Sequence, residues 1–221
     1  MEIYHKPEPI CGVLFDMDGV VVDTEKLYAR FWMEAANELG YPMTYDQALG
    51  MRSLSRQAGQ AKLESYFGLG IDIRQVRAIR IERMEAYIDA HGVEPKPGIY
   101  ELLDYLQANC IPCAITTSSP RERVEKYLTP LGLYHRFDKI CTGYEVAHGK
   151  PEPDIYLYGA QSLGLPPQNC LAIEDSPAGL QSACAAGCMA VFIPDLDASC
   201  GETQNSIFAK ADSLRDIMEL L

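Results

Sequence analysis

The sequence lacks a surplus of positive charge. Of its 221 residues, 19 are Lys or Arg and 31 are Asp or Glu, which gives a formal net charge of −12. Proteins bind nucleic acids largely through phosphate contacts made by Lys and Arg, so this balance argues against a nucleic-acid partner. An anionic small molecule is still compatible with the composition if positive charge is concentrated at one place.

Long apolar segments are also missing. A membrane helix needs about 20 consecutive apolar residues, and no uncharged run in this sequence approaches that length. The apolar stretch near the amino end is interrupted by Asp16 and Asp18, so we identify no targeting signal. We therefore expect a cytoplasmic protein with no membrane partner. The oligomeric state leaves no visible signature, and we expect a monomer or a weak homodimer.

The eight cysteines need a separate interpretation. In a reducing compartment scattered thiols mostly serve as small buried apolar residues. Cys110 and Cys113 have the spacing of a redox motif, but they lead into an apolar strand and lack the helix dipole that would activate them. Cys184 and Cys188 lie one helical turn apart, which suits a metal only if a second ligand pair faces them. We favour a core role for both pairs.

The apolar pattern changes along the chain and predicts two domains. From about residue 23 to residue 91 the periodicity is helical and no convincing strand appears. A stretch rich in Pro and Gly over residues 92–98 reads as a junction, and beyond it strands and helices alternate, which predicts a parallel sheet. The sequence thus predicts an α/β, Rossmann-like core with helices on both faces, formed by residues 1–22 and 92–221. Residues 23–91 would be an inserted all-helical domain.

The predicted elements can be stated individually. Strands are expected over residues 13–15, 111–116, 139–142, 171–173 and 190–193. Helices are expected over residues 27–39, 44–50, 54–67, 72–88, 99–108, 121–128, 154–163, 178–186 and 213–221. Thr44 and Gln47 predict a capping box, and Ser119, Pro120 and Glu122 predict the cap, first position and capping box of the helix at 121–128.

Acids and hydroxyls stand at the carboxyl ends of two predicted strands. Asp16 and Asp18 follow the first strand, and the alternation of side chains along a strand lets both face one pocket. The strand at 111–116 ends in the turn Thr116-Thr117-Ser118-Ser119, whose hydroxyls and backbone N–H groups suit a phosphate. Ligands of open parallel sheets bind at this edge, so a site is expected there.

Two further segments bring charge to the same edge. Glu174 and Asp175 follow the strand at 171–173, and Lys150 lies in a loop stiffened by two prolines. Each feature alone has a structural explanation, as a helix cap or a solvated lysine. Together with Asp16 and Asp18 the acids carry up to four negative charges, which would repel a phosphate unless a cation compensates them. Mg²⁺ is the expected cation, and with Lys150 the set predicts metal-assisted phosphoryl transfer.

These segments resemble, in order and spacing, the four motifs of the haloacid dehalogenase (HAD) superfamily. They are Phe15-Asp16-Met17-Asp18-Gly19-Val20, Thr117-Ser118-Ser119, Gly149-Lys150-Pro151-Glu152-Pro153-Asp154 and Ile173-Glu174-Asp175-Ser176. The resemblance covers nearly the whole chain, because residues 23–91 look like the helical cap of the β-phosphoglucomutase-like branch. It implies a cap that closes to exclude water during catalysis.

The resemblance also implies a role for each residue. Asp16 is the expected nucleophile that forms an aspartyl-phosphate, and Asp18 is the expected general acid and then general base. Thr117 and the Ser118 amide would hold the phosphoryl oxygens, and Lys150 would neutralise charge in the transition state. The implied ligands of Mg²⁺ are Asp16, the carbonyl of Asp18, Glu174 and Asp175.

One position separates two possible activities. β-Phosphoglucomutases carry a His one turn after an Asp-Thr pair, whereas this chain has Tyr28 after Asp23-Thr24. The difference favours a phosphatase for a small phosphorylated metabolite, expected to be a sugar phosphate, and leaves a phosphosugar mutase as the alternative. Gly50-Met51-Arg52 is similar to a segment of sugar-phosphate phosphatases, so Arg52 is the candidate substrate contact. Alternatives of another class are a catalytically silent binding protein and a thiol redox module.

Overall fold

The computed structural model describes residues 1–4, 8–51, 54, 56–196 and 199–221. Its internal contacts divide the chain into two compact units. The first contains residues 1–23 and 94–221, and the second contains residues 24–93.

The first unit is built on a seven-stranded sheet. Its strands are β1 Glu2–Ile3, β2 Gly12–Phe15, β3 Cys113–Thr117, β4 Lys139–Thr142, β5 Cys170–Glu174, β6 Met189–Phe192 and β7 Ala209–Lys210. Their spatial order is β1-β7-β6-β5-β2-β3-β4. All neighbours pair in parallel except β1, which runs antiparallel to β7. The α/β, Rossmann-like fold class predicted from the sequence is confirmed.

The eight α-helices of the described chain flank this sheet or form the second unit. They are α1 Glu25–Glu38, α2 Tyr45–Leu49, α3 Arg56–Phe67, α4 Ile73–His91, α5 Ile99–Ala108, α6 Arg121–Leu128, α7 Asp154–Ser162 and α8 Pro177–Ala185. None of the helices in the described ranges has both the length and the apolar character of a membrane span.

Burial explains why the central strands are apolar. Every residue of β2, β3, β5 and β6 is buried, as expected for parallel strands that are covered on both faces. Leu14 of β2 and Ala172 of β5 pack in one cluster with Ile155 and Ala160 of α7 and Leu180 of α8. This packing fixes β2 and β5 side by side, so the residues that follow them are held close together.

The second unit contains four helices and, among its described residues, no strand. Trp32 of α1, Leu63 of α3 and Val76 of α4 belong to its buried core. The predicted capping box of α2 is present, because Thr44 accepts a hydrogen bond from the Gln47 amide and the Gln47 side chain accepts one from the Thr44 amide. The unit thus has its own hydrophobic core.

Three predictions about secondary structure are wrong in detail. The helix expected over residues 213–221 is only a 3₁₀ helix at Asp216–Glu219. The two-residue strands β1 and β7 were missed, since two residues are too few to show a periodic pattern. The cap predicted for α6 is also wrong: Pro120 is the N-cap residue and no side chain caps the helix.

Candidate active site

Asp16 lies immediately after β2, at the carboxyl end of the strand. Its backbone N–H donates a hydrogen bond to the carbonyl of Ile173 on β5 at 3.0 Å, which extends the pairing of the two strands by one residue. The side chain is buried with 8% of the residue exposed. Its Oδ1 atom accepts a hydrogen bond from Lys150 Nζ at 2.5 Å. Asp16 is therefore fixed at the backbone and at the carboxylate.

Lys150 connects three strands of the sheet through its ammonium group. Besides Asp16, Nζ donates to Glu174 Oε1 at 2.6 Å and to the carbonyl of Thr116 on β3 at 3.1 Å. Only 9% of the lysine side chain is exposed. The three bonds use all three donors of an ammonium group, so Lys150 is held in one position at the edge where β2, β3 and β5 end.

Three carboxylates converge at this edge. Glu174 is the last residue of β5 and Asp175 follows it, and both are buried. One carboxylate oxygen from each of Asp16, Glu174 and Asp175 lies within 4.8 Å of the other two. In the part of the chain that the structure describes, this group contains those three side chains and not that of Asp18.

The charges of this cluster do not cancel. Burial raises the pKa of Asp16 well above its ordinary value, and the neighbouring acids Glu174 and Asp18 raise it further, although Lys150 acts in the opposite direction. Burial by itself would lower the pKa of Lys150, but Asp16 and Glu174 outweigh it and the pKa is raised. Lys150 therefore stays charged. Its single positive charge does not offset the effect of burial and of the neighbouring acids on the pKa of Asp16.

The donor set fits a hard divalent cation. Mg²⁺ binds carboxylate oxygens at about 2.1 Å, so two oxygens on opposite sides of one ion are about 4.2 Å apart. The three carboxylate oxygens all lie within 4.8 Å of one another, which is close enough for them to share one ion. A divalent cation would also supply the positive charge that Asp16 lacks. The acidic cluster could therefore hold the predicted magnesium ion.

Asp18 stands apart from the cluster in its hydrogen bonding. Its Oδ2 atom accepts a hydrogen bond from the hydroxyl of Ser119 at 3.0 Å. The chain turns sharply after Asp18, where Gly19 adopts a positive φ of 85° and its N–H bonds to the carbonyl of Val22. Ser119, which we expected to cap α6, instead orients Asp18. The side chain of Asp18 is half-buried, so it retains access to solvent.

The predicted phosphate-binding residues lie on the neighbouring strand. Thr117 is the last residue of β3, and its hydroxyl accepts a hydrogen bond from the Ser119 amide at 3.0 Å. Its carbonyl accepts one from the Gly143 amide at 2.8 Å. Ser118 follows and is exposed. Because β3 pairs with β2 in parallel, Thr117 and Ser118 lie at the same sheet edge as Asp16.

Tyr156 is a site residue that we did not identify in the sequence. It is fully buried on α7, and its hydroxyl donates a hydrogen bond to Glu174 Oε1 at 2.5 Å. Burial raises its pKa well above the ordinary value, with Glu174 and Asp16 adding to the effect. In the sequence, only its position six residues after Lys150 indicated that Tyr156 could lie near the site. We did not use this signal, because an aromatic residue on a helix face is usually a core residue.

Arg52, the predicted substrate contact, lies outside the described residues. Within the helical unit, Arg80 is buried, and its guanidinium lies 4.9 Å from the ring centre of Tyr28 and 5.2 Å from that of Trp32. Arg83 forms an ion pair with Glu38. Both arginines thus contribute to the packing of α1 against α4.

Six of the eight cysteines are at least partly buried, whereas Cys11 and Cys110 are exposed. All eight are free thiols. Burial raises the pKa of Cys113 to about 12 and that of Cys184 to about 11. Burial also raises the pKa of Cys188 strongly. Protonated thiols are poor nucleophiles, so Cys113, Cys184 and Cys188 lack the reactive thiolate that a redox site needs.

The fold and the site together define a class of protein, a Rossmann-like α/β protein with a buried cluster of acids and a lysine at the carboxyl ends of its strands. A family model described as haloacid dehalogenase-like hydrolase matches residues 13–193. The chain belongs to this family, as its four sequence motifs indicated.

Named relatives agree with this assignment. The chain is 36% identical over 188 residues to hexitol phosphatase A of Escherichia coli K12, covering 82% of each chain. It is 33% identical over 191 residues to a fructose-1-phosphate phosphatase of the same organism, covering 84% of this chain and 97% of the relative. A crystal structure of a HAD family hydrolase from Deinococcus radiodurans R1, with bound phosphate and sodium, superimposes with a TM-score of 0.78 at 27% identity, covering 95% of this chain and 93% of the other.

Proposed function

We propose that the protein is a Mg²⁺-dependent phosphatase that hydrolyses a small sugar phosphate through an aspartyl-phosphate on Asp16. The enzyme is a phosphoric monoester hydrolase of the haloacid dehalogenase type. The observation that carries the proposal is the contact of Lys150 with both Asp16 and Glu174, beside Asp175, at the edge where the strands end. This arrangement holds a carboxylate nucleophile next to a fixed positive charge.

In the first step a carboxylate oxygen of Asp16 forms a bond to phosphorus and the bond from phosphorus to the ester oxygen breaks. Asp18 gives its proton to the departing alkoxide. Thr117 and the Ser118 amide hold the phosphoryl oxygens, and Lys150 offsets the negative charge that develops on them. In this proposal each of these residues keeps the role that the sequence motifs assign to it.

In the second step Asp18 takes a proton from a water molecule. The water oxygen forms a bond to phosphorus, the bond to Asp16 breaks, and inorganic phosphate leaves. The hydrogen bond from Ser119 supports this double role of Asp18, because it fixes the orientation of the side chain that exchanges the proton. Mg²⁺, when held by Asp16, the Asp18 carbonyl, Glu174 and Asp175, would lower the repulsion between these acids and the phosphoryl group.

We assign the choice of substrate to the helical insertion, with Arg52 as the candidate contact. The names of the two Escherichia coli relatives, a hexitol phosphatase and a fructose-1-phosphate phosphatase, support a sugar phosphate as substrate. Tyr28 stands where the mutases carry His, and its ring is already packed against the guanidinium of Arg80. This supports a phosphatase rather than the mutase alternative.

The test is phosphate release from a panel of sugar phosphates, including hexitol phosphates and fructose 1-phosphate. We expect release with Mg²⁺ and none after chelation by EDTA. Interconversion of glucose 1-phosphate and glucose 6-phosphate without phosphate release would establish the mutase instead. Absence of both activities, with ligand binding retained, would indicate the silent binding protein. Turnover that is unaffected by Asp16→Asn would contradict the proposed nucleophile.

A further inference from the structure

The hydroxyl of Tyr156 occupies a position that none of the four sequence motifs includes. It donates to Glu174 Oε1 at 2.5 Å, the same oxygen that accepts from Lys150 at 2.6 Å. The ammonium of Lys150 also lies 5.1 Å from the centre of the Tyr156 ring. Tyr156 therefore contacts both the acid and the lysine of the cluster while lying on a separate element, α7.

The carboxylate of Glu174 is confined on its other side as well. Its Oε2 atom accepts a hydrogen bond from the hydroxyl of Ser176 at 3.2 Å. On α8, a Cβ atom added to Gly179 would lie 2.0 Å from the Glu174 carboxyl carbon. Because glycine lacks that atom, the helix can approach the carboxylate this closely. Three donors and one helix backbone thus define a single orientation of Glu174.

Water cannot replace these contacts. Glu174 is 1% exposed and Tyr156 is fully buried. If the tyrosine hydroxyl were absent, Oε1 would keep Lys150 as a partner but lose its second donor. A carboxylate with fewer fixed partners can rotate, and a rotated Glu174 would no longer point an oxygen toward Asp16 and Asp175.

We infer that Tyr156 is a positioning residue, whose hydroxyl holds the Glu174 carboxylate in the orientation that binds the metal ion. This inference rests on the proposed function, in which Glu174 is a metal ligand. Substitution of a hydrogen-bond partner of a metal ligand typically lowers metal affinity about 10-fold to 100-fold. Tyr156→Phe should therefore raise the dissociation constant of Mg²⁺ by a factor within this range.

The decisive measurement is calorimetric titration of the metal-free protein with MgCl₂, which needs no substrate. Tyr156→Phe removes one oxygen atom and keeps the ring. Phosphate release at saturating Mg²⁺ should fall less than tenfold, because the contact of Lys150 with Asp16 is untouched. The loss should therefore appear mainly as a higher Mg²⁺ requirement. A merely structural role would lower the melting temperature without changing the Mg²⁺ affinity of the folded protein.

Two other variants test the same idea. Tyr158→Phe removes the same atom two residues further along α7, where Tyr158 lines a separate cavity with Arg121 and Ser162, and it should leave Mg²⁺ affinity unchanged. Gly179→Ala places a methyl group against the Glu174 carboxylate and should weaken Mg²⁺ binding by another route. Far-UV circular dichroism and thermal melting check that each variant is folded.

The outcomes separate this inference from the proposed function. If a folded Tyr156→Phe protein binds Mg²⁺ with a dissociation constant within twofold of the wild-type value, the positioning role is wrong. Phosphate release by the wild-type protein would still support the proposed phosphatase activity in that case. A wild-type protein that neither binds Mg²⁺ nor releases phosphate would overturn both. A rise of about 10-fold to 100-fold in the dissociation constant, with Tyr158→Phe unchanged, supports the inference.

Discussion

Replacement of Lys150 by methionine tests the electrostatics of the cluster. Methionine keeps most of the length and apolar volume of the lysine side chain but removes its charge and its three hydrogen bonds. Asp16 and Glu174, whose side chains are 12% and 1% exposed, would lose the only cation that contacts them among the described residues. Breaking a buried ion pair by removal of one partner costs about 3–5 kcal/mol, and we expect a loss of this size in metal-free protein at pH 8.

The loss should depend on pH in a defined direction. The pKa of Asp16 is already raised in the folded state, and loss of the ammonium raises it further. A carboxyl whose folded pKa exceeds its unfolded pKa binds protons more tightly when folded, so its contribution to stability falls as the pH rises through the folded pKa. The stability deficit of Lys150→Met should thus be largest at pH 8 and shrink as the pH falls and Asp16 takes up a proton.

Urea denaturation with and without EDTA measures this deficit, and phosphate release measures the catalytic effect. Loss of one group that stabilises transition-state charge costs about 10²–10³ in kcat. Lys139→Met is the matched control, because Lys139 is exposed at the opposite, amino end of β4, and it should change neither quantity. A Lys150→Met protein destabilised by less than about 1 kcal/mol, well below the usual cost, with activity intact would refute the reasoning.

Three further predictions concern other parts of the chain. Ser119→Ala removes the hydrogen bond that orients the Asp18 side chain, and a typical hydrogen bond contributes about 0.5–1.5 kcal/mol. The variant should lower kcat about tenfold without changing the Mg²⁺ affinity measured by calorimetry. An unchanged kcat would contradict the role given to Asp18. Thr44→Ala removes the capping box of α2 and should lower the free energy of unfolding, measured by urea denaturation, by about 1 kcal/mol. An unchanged free energy of unfolding would show that the capping box does not stabilise the protein. At pH 8 a thiol reagent should react fast with the exposed cysteines and not with Cys113. The pKa of Cys113, about 12, leaves only about 10⁻⁴ of this residue as thiolate at that pH. Fast labelling of more than two thiols per protein would contradict this prediction. The exposed thiols are Cys11 and Cys110.

The sheet could be predicted because its central strands carry their signal locally. Each of β2, β3, β5 and β6 is a short buried apolar run, and the alternation with helices fixes the parallel topology. The ends of the predicted strands were enough to place Asp16 and Glu174 at one edge of the sheet, and the loop that carries Lys150 was expected at the same edge. The predicted bounds of α6 and β4 agree with the structure.

Other features depend on tertiary packing and leave no local signal. The bond between Ser119 and Asp18 joins residues 101 positions apart, whereas the sequence around Ser119 is also compatible with a helix cap. The sequence pattern predicts that Tyr156 is an apolar core residue of a helix, and only the three-dimensional position of Glu174 shows its contact with the acidic cluster. The strands β1 and β7 exist only through their pairing with each other and with β6.

The central claim is that the described acids and lysine carry out phosphoryl transfer on Asp16. The most direct test of this claim uses acetyl phosphate that is labelled in its phosphoryl group. The enzyme reacts with it in the presence of Mg²⁺, the reaction is stopped by a rapid acid quench, and the protein is then digested for peptide mapping. We expect label on the peptide that contains Asp16, loss of that label in Asp16→Asn, and no label when EDTA replaces Mg²⁺. Label on another residue, or an Asp16→Asn protein that releases phosphate as fast as the wild type, would contradict the account.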